Sequence, residues 1–280
     1  MASRSSGAAL RALAVAAVIA LPSLLLPVVS GDAKQLVALA AIFAAVLVLA
    51  EYRAEYPTLI EFRDAPPFNR LRFLLLASVV LGLTLIERGH SAPNSLTEFL
   101  HAAGRLIGLA LDFPYSPIRL AALVLADPTA PAQTVMVRDA AGLAGFIALM
   151  WLAVFVLRLR WGRWPMRGQS FNVWTNLPTF DPTAGGDVVA RLQRDAGVNI
   201  ALGVLLPFAV PLLLSLLSAH VVPVDLSSSH TLIWTMTLWV FLPASLIMRG
   251  IAMRRIATMI HQIRRRQNDA PGGALPLATA

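Results

Sequence analysis

The chain has 280 residues, of which 57% are hydrophobic and 14% charged, with a mean hydropathy of +0.69 and a formal charge of +8. A typical soluble domain is about 45–50% apolar and about 25% charged; a water-soluble fold of this size cannot hide so much apolar surface, which excludes a secreted domain, a nucleic-acid-binding module and a cytosolic enzyme as first readings. With no Cys, disulfides, thiolate catalysis and Cys-ligated zinc or iron–sulfur clusters are excluded as well.

The expected fold class is all-α, a polytopic transmembrane helical bundle with about six spans. Residues 1–266 form a single integral membrane domain and residues 267–280 a disordered cytoplasmic tail. The spans are the charge-free apolar runs at about 12–30, 35–50, 73–86, 140–157, 198–222 and 231–248. A helix needs about 20 residues to cross the hydrocarbon core. The second and third runs are shorter, but Lys34, Arg70 and Arg72 flank them with apolar stems that can lie in the membrane while the charge reaches the headgroups. Arg4 and Arg11 before the first run, and the small residues Ser30 and Gly31 after it, leave a cleaved signal peptide as the alternative reading of that run.

Basic residues orient the spans. Arg4 and Arg11, four arginines between the second and third spans, six between the fourth and fifth, and six after the sixth fall on one side; Lys34, Arg88, Arg105, Arg119 and Arg138 fall on the other. By the positive-inside rule the first set is cytoplasmic. The expected location is therefore a bacterial inner membrane with both termini in the cytoplasm.

Between the third and fourth spans, Ser95 and Glu98 have capping-box spacing, Pro114 ends the helix they start, and Ser116-Pro117 opens a second. This predicts a periplasmic helix–break–helix segment on or in the outer leaflet, with one additional span as the alternative. The cytoplasmic loop from Arg158 interleaves basic and aromatic residues, which fits the headgroup zone better than a nucleic-acid channel. After Met248, Ala252, Met253, Ile256, Met259, Ile260 and Ile263 recur at helical spacing opposite Arg254, Arg255, Arg264, Arg265 and Arg266. That pattern predicts a C-terminal basic amphipathic helix whose arginines meet anionic lipid headgroups. There is no internal repeat, and the prolines of the first and fifth spans do not occupy equivalent places in two inverted halves.

No Asp, Glu, Lys or Arg falls inside the six runs, which counts against an ion-coupled transporter. Glu51, Glu55, Glu61 and Asp64 are paired carboxylates, but the interleaved Arg53 and Arg63 read as a salt-bridged surface loop. There is no Walker A loop, no H-E-x-x-H and no G-x-S-x-G, so little supports an enzyme. His90, His101, His220 and His230 share the outer side and are the only candidates to hold a metal or haem, although their spacing is not diagnostic. The stretches from Glu61 to Phe68 and from Phe171 to Pro178 look specific rather than low-complexity.

The expected function is a non-catalytic inner-membrane accessory, assembly or scaffold subunit, with no cofactor required and no nucleic acid bound. Its membrane-protein partner would meet Arg160, Trp161, Arg163, Trp164, Trp174, Asn176 and Phe180, because Trp and Arg dominate binding hot spots. The alternatives are a permease or channel component for an apolar or weakly polar solute, and a redox subunit with an outer-face haem or metal. The orientation can be tested directly, since single cysteines introduced by Pro93→Cys or Asp225→Cys into this Cys-free chain should react with an impermeant maleimide from outside. Gln169→Cys should react only after permeabilisation, and external labelling there would overturn the six-span topology.

Overall fold

The computed structural model describes residues 2–27, 31–126, 130–162, 164, 176–181, 183, 185–220 and 226–268, without the side chains of 2–4, 218–220 and 267–268. The described residues form eight helices and no strand. They are α1 (Ala2–Leu25), α2 (Gly31–Arg53), α3 (Phe68–Gly89), α4 (Ser95–Ala110), α5 (Pro117–Leu125), α6 (Pro131–Trp161), α7 (Val188–His220) and α8 (Ser229–Asn268). Six of them, all but α4 and α5, are long and apolar enough to cross a membrane.

Helices α3, α6 and α8 pack on one another in the centre; α7 lies along α8, while α4 and α5 lie on α6. Helix α1 packs on α3, and α2 packs on α1. Leu75 and Val79 of α3, Ala141, Ala144 and Phe155 of α6, and Ile233, Met236 and Met248 of α8 are essentially inaccessible. Among buried polar groups, Glu51, Glu61, Asn176 and Asn199 gather at one end, hereafter the arginine-rich end, and Glu87, Thr97 and Asp139 at the opposite one. Large apolar side chains cover the outside instead, among them Leu36, Leu39, Ile42 and Phe43 on α2 and Leu205, Leu212 and Leu216 on α7. An exterior of that kind suits lipid, which solvates Leu as well as another Leu does.

Several boundaries differ from the sequence reading. The helices run on through the charged residues at which the apolar runs stop, because helical hydrogen bonding does not require apolar side chains. Arg138 and Asp139 thus lie within α6, paired at 2.9 Å with Asp139 only 3% exposed. The helix of the fifth run begins well before it, at Val188, as α7, whose first turn is closed by the Asp187 carboxylate accepting from the Ala190 amide. In α4 the cap is Asn94 and not Ser95. Its Oδ1 accepts from the amides of Leu96 and Thr97, and the Thr97 hydroxyl accepts from the Asn94 amide. The reciprocal partner is therefore Thr97, which leaves Glu98 free of the capping role. The second start is as expected, with the Ser116 hydroxyl accepting from the Arg119 amide and Pro117 in the first turn. At 16 and 9 residues, α4 and α5 are each shorter than the roughly 20 residues of a span.

Where helices cross closely, glycine permits it. A methyl group added at Gly142 of α6 would lie 2.5 Å from the Gly108 nitrogen of α4, and one at Gly104 would lie 2.9 Å from the Asp139 carbonyl oxygen. Gly203 of α7 meets Pro243 and Ile247 of α8 in the same way, and Gly250 of α8 meets Ala196 and Ile200 of α7. In lipid, close backbone approach supplies the packing that the hydrophobic effect does not. Proline leaves a different problem: Pro211 has no N–H for the Pro207 carbonyl four residues back. The Trp239 indole of α8 donates to that oxygen at 2.9 Å, satisfying a backbone group that lipid could not.

These crossings generate a contrast. Gly142→Ala should destabilise the protein by about 1–3 kcal/mol through overpacking. Gly197→Ala, with open space at its added methyl, should stabilise by up to about 1 kcal/mol through helix propensity. Unfolding of both variants in detergent, followed by circular dichroism, measures the pair.

Candidate functional site at the arginine-rich end

Of the two stretches singled out in the sequence, the end of the second, from Asn176 to Pro178, docks against the first, while residues 171–175 lie outside the described residues. Phe62 sits at φ 52°, fully buried, and its amide donates to the Asn176 carbonyl at 2.7 Å. The Asn176 side chain returns the contact, its Oδ1 accepting from the Asp64 amide at 3.1 Å. Around Phe62 lie Phe68, with ring centroids 4.3 Å apart, and Trp164 at 5.8 Å; Phe155 meets Phe68 edge-on. The Trp164 indole donates to the Ala65 carbonyl. A left-handed, non-glycine residue is costly unless its surroundings fix it, and here an aromatic cluster and two cross-loop hydrogen bonds do so.

The same loop is tied back to α2. The Glu51 carboxylate accepts from the amides of Thr58, Leu59 and Ile60 and from the Thr58 hydroxyl. The Arg63 guanidinium donates to the carbonyls of Glu51, Ala54 and Glu55, satisfying the acceptors that a helix C-terminus leaves open.

Glu61 is the centre of the arrangement. Arg249 of α8 grips it through two parallel bonds, Nε to Oε2 at 2.6 Å and Nη2 to Oε1 at 2.8 Å. The Thr179 hydroxyl donates to Glu61 Oε1 and accepts from Arg249 Nη2, while Arg249 Nη1 donates to Asn199 Oδ1. Asn199 in turn donates to the Asp195 carbonyl, and Asn69 to that of Glu61. One ion pair therefore joins both loops, α3, α7 and α8. The expectation of a salt-bridged surface loop is corrected here: Glu61 is 8% exposed, and its partner lies 188 residues away. With both carboxylate oxygens engaged by donors, this carboxylate is a clamp and not a free general base.

The residues expected to face a partner divide. Arg160 and Trp161 are exposed, Trp161 at 81%. Trp164, Asn176 and Phe180 are buried in the chain's own core, because the loop folds back onto the bundle. Arg163 and Trp174 lie outside the described residues. Among the lipid-facing candidates, Arg254, Arg255, Arg264, Arg265 and Arg266 are all exposed. The apolar face behind them differs from expectation, since Ala252, Met253, Ile256 and Ala257 are buried against the protein and not against lipid. Arg264 also pairs with Asp187 at 2.6 Å. That hydrogen bond, with the one from the Ala190 amide, holds the Asp187 carboxyl below its ordinary range.

At the opposite end His90 and His101 come together, their rings perpendicular and 5.9 Å apart, over a cleft shared with Glu98 and Arg105. His230 lies at the start of α8, beside the Ser229 hydroxyl that donates to Glu87. The His220 side chain lies outside the described residues. Among those described, no three His, Asp or Glu side chains are grouped to hold a metal ion.

The clamp makes a sharp energetic prediction. Arg249→Met leaves Glu61 buried without its counter-charge and should cost about 3–5 kcal/mol. Combining Arg249→Met with Glu61→Gln should recover much of that loss. The four corners of this cycle, measured by thermal unfolding in detergent, give the coupling directly.

No protein-family model, curated protein or solved structure matches the chain, so the functional reading rests on its own geometry.

Proposed function

We propose that this chain is a non-catalytic accessory, assembly or scaffold subunit of a membrane complex in a bacterial inner membrane, with both termini in the cytoplasm. The observation that carries the reading is the way polar groups are used at the arginine-rich end. Glu51, Glu61, Arg63, Asn176, Asn199 and Arg249 are engaged in fixing the chain to itself. Among the groups left exposed beside this braced platform are Arg158, Arg160 and Trp161, together at the end of α6. A rigid support presenting Trp and Arg is the form that binding hot spots take, since little entropy is lost on docking. The distribution of arginines supports the orientation.

A permease for an apolar solute is the second reading. It is favoured by a cleft of about 220 Å³ beside Gly203, Pro207, Trp239 and Pro243, whose walls are almost wholly apolar. The two readings separate under Arg160→Ala with Trp161→Ala. Both side chains are exposed, so the double variant should insert and melt like the parent, yet lose a co-purifying membrane protein in mild detergent. A parent protein that purifies alone and carries solute across proteoliposomes would replace the scaffold reading with the permease.

A further inference from the structure

A cleft of about 580 Å³ opens at the arginine-rich end between α1, α2, α3 and the loop that joins α2 to α3. Four arginines line it, Arg11, Arg63, Arg70 and Arg72, and no acidic residue does. Arg63 is fully engaged, by the helix carbonyls already described and by Asp64 at 3.4 Å. The other three are not neutralised. Arg11 donates to the Gly7 carbonyl and lies 4.7 Å over the Tyr52 ring. Arg72 lies between the rings of Phe68 and Phe241 and donates to the Ser245 hydroxyl. Arg70 is exposed. Among the described residues none of the three has a carboxylate within ion-pair distance, and Glu61 has both oxygens on Arg249.

Apart from Tyr52 and Asn69 the remaining walls are apolar, with Ala14 and Val15 from α1, Val48 from α2, and Phe73 and Leu74 from α3. Leu10 and Leu13 on α1 and Leu59 in the loop, each more than 60% exposed, mark the surrounding surface as lipid-facing. Arg11 and Arg70 are exposed and Arg72 is partly buried, so the cleft gathers positive charge beside apolar walls with no carboxylate in its lining. A free inorganic anion would satisfy the arginines and leave the apolar walls bare, whereas a phosphate carrying acyl chains satisfies both. We propose that this cleft binds the headgroup of an anionic phospholipid, with the phosphate on Arg11, Arg70 and Arg72 and the chains along α1 and α3. The site differs from the arginines of the α8 terminus, which come from a single helix and of which Arg264 is paired with Asp187.

The test uses the full chain, delipidated in a neutral detergent and titrated with dioleoyl phosphatidylglycerol, dioleoyl phosphatidylcholine or inorganic phosphate, with bound lipid counted by native mass spectrometry. Phosphatidylglycerol should form a one-to-one adduct that millimolar inorganic phosphate does not displace, and phosphatidylcholine should bind at least about tenfold more weakly. Each arginine near an anionic headgroup contributes about fivefold in affinity, so Arg11→Gln with Arg70→Gln should weaken the adduct about 25-fold. Arg105→Gln with Arg119→Gln, which removes two exposed arginines at the opposite end, should leave it unchanged. Should the first double variant fail to fold, Arg70→Gln alone removes an exposed side chain and should still cost about fivefold. Equal binding of the two lipids, or a loss equal for both pairs of variants, overturns the site. Displacement of the lipid by inorganic phosphate overturns its assignment to phospholipid.

Discussion

A bidentate ion pair between Glu61 and Arg249 holds the arginine-rich end of this bundle together, and its geometry explains why so many other residues there are ordered. A carboxylate that is 8% exposed is tolerated only when its lone pairs and its charge are both answered. Two guanidinium nitrogens and the Thr179 hydroxyl answer them. Each partner then needs a fixed position of its own. Thr179 is held because its segment docks through Asn176 on Phe62, and Arg249 is oriented by Asn199 from α7. The aromatic cluster of Phe62, Phe68, Phe155 and Trp164 sets the spacing, so packing and electrostatics reinforce one arrangement.

Within the bundle a different economy applies, because lipid gives no apolar driving force for one helix to prefer another. Contact depends on shape. Gly104, Gly108 and Gly142 let the backbones of α4 and α6 touch, and Gly203 and Gly250 do the same for α7 and α8. The prolines of α7 and α8 belong to this scheme, since Pro211 leaves the Pro207 carbonyl unbonded within its helix and Trp239 supplies the donor. Helix α4 is thereby attached to α6 by backbone proximity, while Phe99 and Leu106 point outward at 67% and 69% exposure. That combination suits a helix lying in the interfacial part of a bilayer.

Much of this was legible in the sequence, and the limits have physical reasons. Length and apolarity located all six long helices, and Ser116-Pro117 located the start of α5. The stretches around Glu61 and Asn176 stood out by composition, yet nothing in either sequence says that they meet, since their contacts span more than 100 residues. Periodicity reported an apolar face from Ala252 to Ile263 but not what covers it, and the protein covers its first half. Aromatic and basic residues in the loop after α6 have the composition of a membrane interface and of a docked loop alike. Only folding shows that Trp164 and Phe180 turn inward while Trp161 does not. The small-residue spacing of Gly104 and Gly108 is the sequence signal of the close crossing of α4 and α6.

The least anchored part is the α1–α2 hairpin, and polar contacts rather than apolar ones determine how it is held. Helix α2 packs on α1 and otherwise presents Leu36, Leu39, Ile42 and Phe43 outward. Lipid would solvate those side chains equally well in any rotation of the hairpin, so they cannot specify its position. What specifies it is the end of α2, where Glu51 binds three successive loop amides and Arg63 closes the last carbonyls. The same loop carries Glu61 into the clamp with Arg249. A displacement of the clamp would therefore reach the hairpin through a segment of only eleven residues, 51 to 61, held at one end by Glu51 on the loop amides and at the other by Glu61 on Arg249. The arginine-rich end thus works as a single mechanical unit, with the long helices positioned from it.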